Sequence, residues 1–366
     1  MLHKVLGKVL LLALTALLIA VPAAAQDGDD EEILLRVMTH DSFNISTEVL
    51  EEFEERHNVK VAIVRSGDTG SALNQAILSA NNPLADVFFG VDNTFLSRAL
   101  EADIFEPYEP QLADDIPEKF IIDPDFHMTP VDYGDVCLNY DVAYFEENEL
   151  DPPESLEDLV KAEFEGLTVV ENPATSSPGL AFLLATIGHF GEPILIDEEG
   201  NEVENPYSWE DYWAELVEND VLIVDGWESA YYGEFTVAGE GVRPIVVSYA
   251  SSPVAEVYYA EEELERAPTA NVLSDGACFR QIEFAGVLRG AEHPEMARAF
   301  VDFMLTDIFQ EDIPLNMFVF PVMDVELPAV FKEYAEVPEN PAEVPFEEIE
   351  ANRADWLDRW TEIALR

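Results

Sequence analysis

Two hydrophobic periods alternate along the chain. Near-continuous apolar runs of strand length occupy 34–38 (LLRVM), 59–64 (VKVAIV), 85–90 (ADVFFG), 167–170, 221–224 and 244–248. Between them, apolar residues recur at helical spacing over 46–57, 70–79, 94–102, 156–164, 179–190, 253–264 and 294–305. The C-terminal stretch 346–365 repeats that spacing and predicts a helix with Trp356 and Trp360 on one face. Strands alternating with helices of about ten residues predict βαβ units and a largely parallel α/β sheet. The segments VDYGDVCLNYD (131–141) and ACFRQIEFAGVL (277–288) read as further strands, and proline-rich connections at 107–117 and 152–153 mark exposed turns. The expected architecture is two α/β units.

Composition narrows the partners. The 366 residues hold 18 Lys+Arg against 76 Asp+Glu, a formal charge of −58. Such a surface lacks the clustered bases that release counterions from a phosphate backbone, so nucleic acid is excluded, and anionic lipid headgroups with it. With 48% apolar and 11% aromatic residues, the chain is nevertheless no disordered acid and can bury a large core.

The first 25 residues place Lys4 and Lys8 ahead of an apolar run, 9–21, which ends at Pro22 and Ala23-Ala24-Ala25. This reads as a secretory signal peptide cleaved after Ala25, followed by an acidic leader at 26–32. The run is well short of the roughly 20 apolar residues that span a bilayer, so no stable membrane insertion is expected after cleavage. The mature protein is expected in the periplasm or outside the cell. There, Cys137 and Cys278 could be buried thiols or a single bridge.

In open α/β sheets, ligands lie beyond the carboxyl ends of the strands. Four loops at such positions carry polar or aromatic residues: Ser66-Gly-Asp-Thr-Gly-Ser71, Asn172-Pro-Ala-Thr-Ser-Ser-Pro-Gly179, Gly226-Trp-Glu-Ser-Ala-Tyr-Tyr-Gly233 and Ser248-Tyr-Ala-Ser-Ser-Pro253. Hydroxyls before a helical Pro cap a helix and leave outward N–H groups for an anion, and a loop Trp can stack on a ring or a cation. Catalytic patterns are thin. The six histidines show no metal-ligand spacing, there is no G-x-S-x-G elbow and no Walker or G-x-G-x-x-G loop, and among 76 acids a carboxylate pair carries no information. No enzyme, metal site or cofactor is expected.

Taken in order, HDSF (40–43), SGDTGSALN (66–74), ADVFFGVDN (85–93), VDYG (131–134), NPATSSPGLAFLL (172–184), GWESAYYG (226–233), SYASSP (248–253) and IPLNMFVFPV (313–322) resemble the thiamine-binding periplasmic proteins of ABC transporters. The resemblance runs from about Leu34 to ANRADWLDRW near the C-terminus. It implies a two-lobed α/β fold of the type II periplasmic-binding-protein kind, closing on one ligand. Lobe one would take 33–138 and 281–312, lobe two 141–277 and 318–366, with crossings near Asn139 and Phe279. That would put Cys137 and Cys278 in neighbouring hinge strands, where a disulfide is implied.

The resemblance also implies a site. Asp68 and Thr69 match a ligand-contacting loop, Ser176 and Ser177 a phosphate-binding pair, Trp227 a stacking residue, and Tyr249, Ala250, Ser251 and Ser252 a further contact segment. His40, Asp41, Asp92, Asn93 and Phe318 are additional candidates. The chain departs from the family in having His40 where Tyr is usual, Ala255 where a second aromatic is usual, and Phe318 where Trp is usual. The implied function is capture of thiamine or its phosphates for a membrane permease by a protein expected to be a monomer. Ferric iron held by Tyr231-Tyr232 and Tyr258-Tyr259, and a secreted hydrolase using acid pairs, are the alternatives.

Overall fold

The computed structural model describes residues 33–197, 200–239 and 241–365; the expected export signal at 1–25 and acidic leader at 26–32 lie outside them. Local chemistry explains many of the elements. Ser46 stands at the N-cap of the helix Thr47–His57, Glu48 lies in its first turn and Arg56 and His57 in its last, and Val49 and Phe53 face the core. The helix Ser177–Phe190 is capped by Ser176 and has Pro178 in its first turn. Its residues from Ser177 to Ile187 are all buried, as expected of a helix apolar on every side. Truncating Leu183 or Leu184 there to Ala would cost about 2–5 kcal/mol.

Two helices depart from expectation. The segment expected as one helix over 156–164 is two tight turns, Leu156–Val160 and Ala162–Phe164. Here the Asn219 side chain donates to the carbonyls of Leu159 and Lys161, which a continuing helix would need. The helix expected over 253–264 is Ser252–Tyr258. The following Glu261, Glu262 and Glu263 would put negative charge at the negative end of the helix dipole.

The main sheet runs in the order Val59–Arg65, Ile33–Thr39, Val87–Asp92, Phe279–Leu288, Thr129–Asp141, Ile245–Tyr249, Thr168–Glu171, Leu222–Val224. Its two ends are parallel, as the βαβ reading expects. Its centre is antiparallel, which corrects the expectation of a largely parallel sheet. Neither long central strand is entered from an α-helical crossover: Thr129–Asp141 follows the 3-10 turns Ala113–Asp115 and Glu118–Phe120, and Phe279–Leu288 follows the strand Thr269–Val272, so nothing forces them parallel. The two expected α/β units are therefore the two ends of one continuous sheet. Cys137, on the strand Thr129–Asp141, is joined by a disulfide to Cys278, the residue before the strand Phe279–Leu288.

Candidate functional site

Loops from both parallel ends of the sheet meet at one cavity of about 310 Å³. His40 and Asp41 follow the strand Ile33–Thr39, and Asp68 and Thr69 follow Val59–Arg65. From the other end come Ser177, which opens its helix, Trp227, which follows Leu222–Val224, and Tyr249 and Ser252, at the end of Ile245–Tyr249. Phe318 completes the set. These nine sequence-derived candidates line the cavity.

Asp68 ties the two sides together. Its carboxylate accepts from the backbone N–H groups of Thr69 at 2.7 Å, Trp227 at 2.9 Å and Ser177 at 3.3 Å. Burial pushes its carboxyl up, while the N–H groups of Trp227 and Thr69 and the Ser176 hydroxyl pull it back. Alongside, the Ser177 and Thr69 hydroxyls lie 3.3 Å apart and the Ser71 N–H reaches the Thr175 carbonyl. A side chain at Gly226 would press on the Asp68 carboxylate, so the tight approach depends on glycine there.

The aromatic wall is built on Trp227. Its ring stacks on Tyr231 at 4.9 Å with planes 15° apart, and Tyr232 meets it edge-on. The indole N–H donates to Ser248 at 2.9 Å, and Ser248 is 2.8 Å from Ser252. Phe318 is held in the left-handed region at φ 57°, and the Ser251 hydroxyl donates to its carbonyl. A bulky residue in that conformation is strained, and strain of this kind gathers at ligand-holding sites.

His40 packs against the Cα of Gly90, where any side chain would collide with the imidazole. Its Nε2 lies 3.3 Å from Glu283 Oε1. Burial works to lower the His40 pKa, but Glu283, with Asp68 and Asp41 behind it, outweighs burial and leaves it raised. Acidic Asp41, Asp68, Asp225, Glu228 and Glu283 line the cavity; among the described residues no Lys or Arg does. A site so charged favours a cation.

The remaining candidates stand behind the wall. Ser176 is buried as the helix cap, and Ala250 is buried against the disulfide. Ser251 positions Phe318 as described. Asn93 exchanges hydrogen bonds with Ile282 and Arg280, extending the ladder, and Asp92 is buried, bonded to Thr94 and Gln281. Tyr249 donates to Gln281 at 2.9 Å, so the wall tyrosine is linked to Asp92 through one amide. Ala255 lines the cavity. Glu283 and the stacking role of Tyr231 were missed from sequence. The available signal was a lone carboxylate in the otherwise apolar run IEFAGVL, lost among 76 acids.

The four tyrosines of the iron alternative differ in their settings. The Tyr231 hydroxyl donates to Glu256 at 2.7 Å, while Tyr232, Tyr258 and Tyr259 are exposed. Among the described residues, the one His/Cys/Asp/Glu group close enough to hold a metal is Asp123, Asp125 and His127, away from the cavity lining. Asp123 there is already occupied by the N–H groups of Asp125, His127 and Met128.

Comparison with known proteins agrees with this architecture. Residues 82–340 match the profile of a family described as bacterial extracellular solute-binding protein. The thiamine-binding periplasmic protein of Salmonella typhimurium is 30% identical over 355 residues, covering 96% of this chain and 97% of its own length. That of Escherichia coli is 30% identical over 339 residues, covering 91% and 94%. A solved periplasmic thiamin binding protein superposes with a TM-score of 0.78 at 27% identity, covering 93% of this chain and 98% of that one. The ferric binding protein from Campylobacter jejuni, at 18% identity and a TM-score of 0.68 over 90% of this chain and 99% of its own, shares the fold. The two-lobed α/β binding-protein fold expected from the sequence is thus the fold found.

Proposed function

The chain belongs to the bacterial extracellular solute-binding proteins, and from that membership we propose that it captures thiamine outside the cytoplasmic membrane and presents it to the permease of an ABC importer. One observation carries the ligand: the cavity sets the stacked Trp227 and Tyr231 rings beside several carboxylates, without a lysine or arginine among the described residues. Thiamine has a permanently charged thiazolium and an aminopyrimidine. An aromatic face attracts the first, and ring stacking and carboxylate acceptors suit the second. Relatives named for thiamine binding, similar along nearly the whole chain, support the same reading.

The mechanism we infer is capture by closure. Residues 33–138 with 281–312 would form one lobe and 141–277 with 318–366 the other. On that division the Asp68 bonds to Ser177 and Trp227 run from lobe to lobe and would form as the site shuts. Thiamine itself is favoured over its phosphates, because the helix N-terminus that could receive a phosphate already receives the Asp68 carboxylate. No described helix is long and apolar enough to cross a membrane, so the partner in the bilayer would be a separate permease.

Titration calorimetry of the purified protein tests the reading. Saturable one-to-one binding of thiamine is expected from a colourless sample. A sample with a visible iron charge-transfer band and no response to thiamine would reject it.

A further inference from the structure

Beneath the aromatic wall, three carboxyl groups stand side by side on three adjacent strands. In the sheet register Glu283 is directly opposite Asp92 on one side and Asp132 on the other. Directly opposed residues of antiparallel strands point to the same face, so the three carboxyls form one row. The pairing slips just past Glu283 on both sides: between Glu283 and Phe284 toward one neighbour, and between Phe284 and Ala285 toward the other. Bulges of this kind re-aim a side chain, and here the re-aimed residue is the one that reaches the cavity.

The groups around Glu283 are unequally provided for. Asp92 is satisfied by Thr94, the Phe95 N–H and Gln281. Asp132 is fully buried, and neither of its oxygens receives a protein N–H or O–H donor. Its neighbour across the sheet is Glu283, and two carboxyl groups can hydrogen-bond only through a proton that one of them carries. On the cavity side Glu283 faces His40, which also has Asp68 and Asp41 near it, and the neutral Tyr249 hydroxyl lies within reach of the same acids. Burial and the neighbouring Glu283 charge both push the Asp132 carboxyl well above the usual carboxylate range, consistent with a proton held there.

We propose that Glu283 is the counter-charge for the ligand's cationic ring, and that the proton it shares with Asp132 leaves for solvent as the cation arrives. The proposal rests on the thiamine reading. The O–H bond of the pair breaks heterolytically, its electrons stay on the carboxylate, and the proton passes to water or buffer. One positive charge enters and one leaves, so closure need not bury added net charge. Asp132 is a positioning residue that stores the proton; Glu283 is the group that meets the ligand. Affinity for thiamine therefore rises with pH, by up to about tenfold per pH unit while the Asp132 carboxyl titrates.

The test is calorimetry of thiamine binding at one pH in two buffers of different ionisation enthalpy. The intact protein should show a heat difference equal to release of about one proton per thiamine. Asp132→Asn offers Glu283 an N–H in place of the shared proton; it should lose the release and flatten the pH profile, with affinity at the alkaline end kept within about threefold. His40→Gln should retain the release. Saturable binding of thiamine with equal heats in both buffers overturns the proposal without any variant. Release that persists in Asp132→Asn and vanishes in His40→Gln also overturns it, assigning the proton to the imidazole. Failure of the intact protein to bind thiamine at all removes the functional reading and the proposal together.

Discussion

The backbone N–H of Trp227 donates to the Asp68 carboxylate at 2.9 Å, joining a loop at one end of the sheet to a loop at the other, 159 residues along the chain. The same carboxylate takes the Ser177 N–H, so one side chain holds two loops of the opposite side.

Removing that carboxylate should loosen the closed arrangement. Hydrogen bonds to a charged group contribute about 1.5–3 kcal/mol each, so Asp68→Ala is expected to weaken thiamine binding by roughly ten- to a hundredfold. Small-angle scattering of the variant with thiamine should show a larger radius of gyration than the parent complex. Equal affinity and equal size would remove Asp68 from the closing step.

Because Asp68 occupies the helix N-terminus, thiamine monophosphate must bring its own anion to a place already filled. It should bind at least about tenfold more weakly than thiamine at neutral pH. Competition calorimetry decides the matter, and an equal or tighter phosphate would mean that Asp68 swings away.

Trp227→Ala removes the face proposed for the cation and unstacks Tyr231. A loss of at least about tenfold in affinity is expected, with Trp227→Phe losing less, and thiamine should no longer quench the Trp227 part of the fluorescence. Unchanged affinity in the alanine variant would move the ligand elsewhere.

Burial lifts the Asp92 carboxyl to about 7 and lifts Asp132 and Glu171 well above the usual carboxylate range. Each group holds its proton more tightly folded than unfolded. The resulting stabilisation is complete below the ordinary carboxylate range near 4 and is lost as pH rises through the folded values. The melting temperature of the ligand-free protein should therefore fall between about pH 5 and about pH 8, and Asp92→Asn should flatten part of that slope. A melting temperature that climbs across this window would contradict the buried-acid account.

The periphery of the fold was legible because its signals are local. Ser46 before an amphipathic helix with Val49 and Phe53, and Ser-Ser-Pro at the start of two helices, act within a few residues. The antiparallel centre was not, since the partners of Thr129–Asp141 lie more than a hundred residues away, and alternation alone is silent on direction. Asn219 ended an expected helix from 58 residues off. The site divided along the same line. Loop residues such as Asp68 and Trp227 follow strands and could be found by position. Glu283 became visible only when the register set it between Asp92 and Asp132.

The Cys137–Cys278 bond closes a ring of chain with a sequence separation of 141, and Ser177, Trp227 and Tyr249 all lie on that ring. A protease that nicks the ring once, at an exposed point such as the strand Ile194–Ile196 or Glu202–Glu204, therefore cuts no fragment free. The nicked protein should migrate as one species on a non-reducing gel and as two on a reducing one, keeping the aromatic wall tethered to the strands that carry its acids.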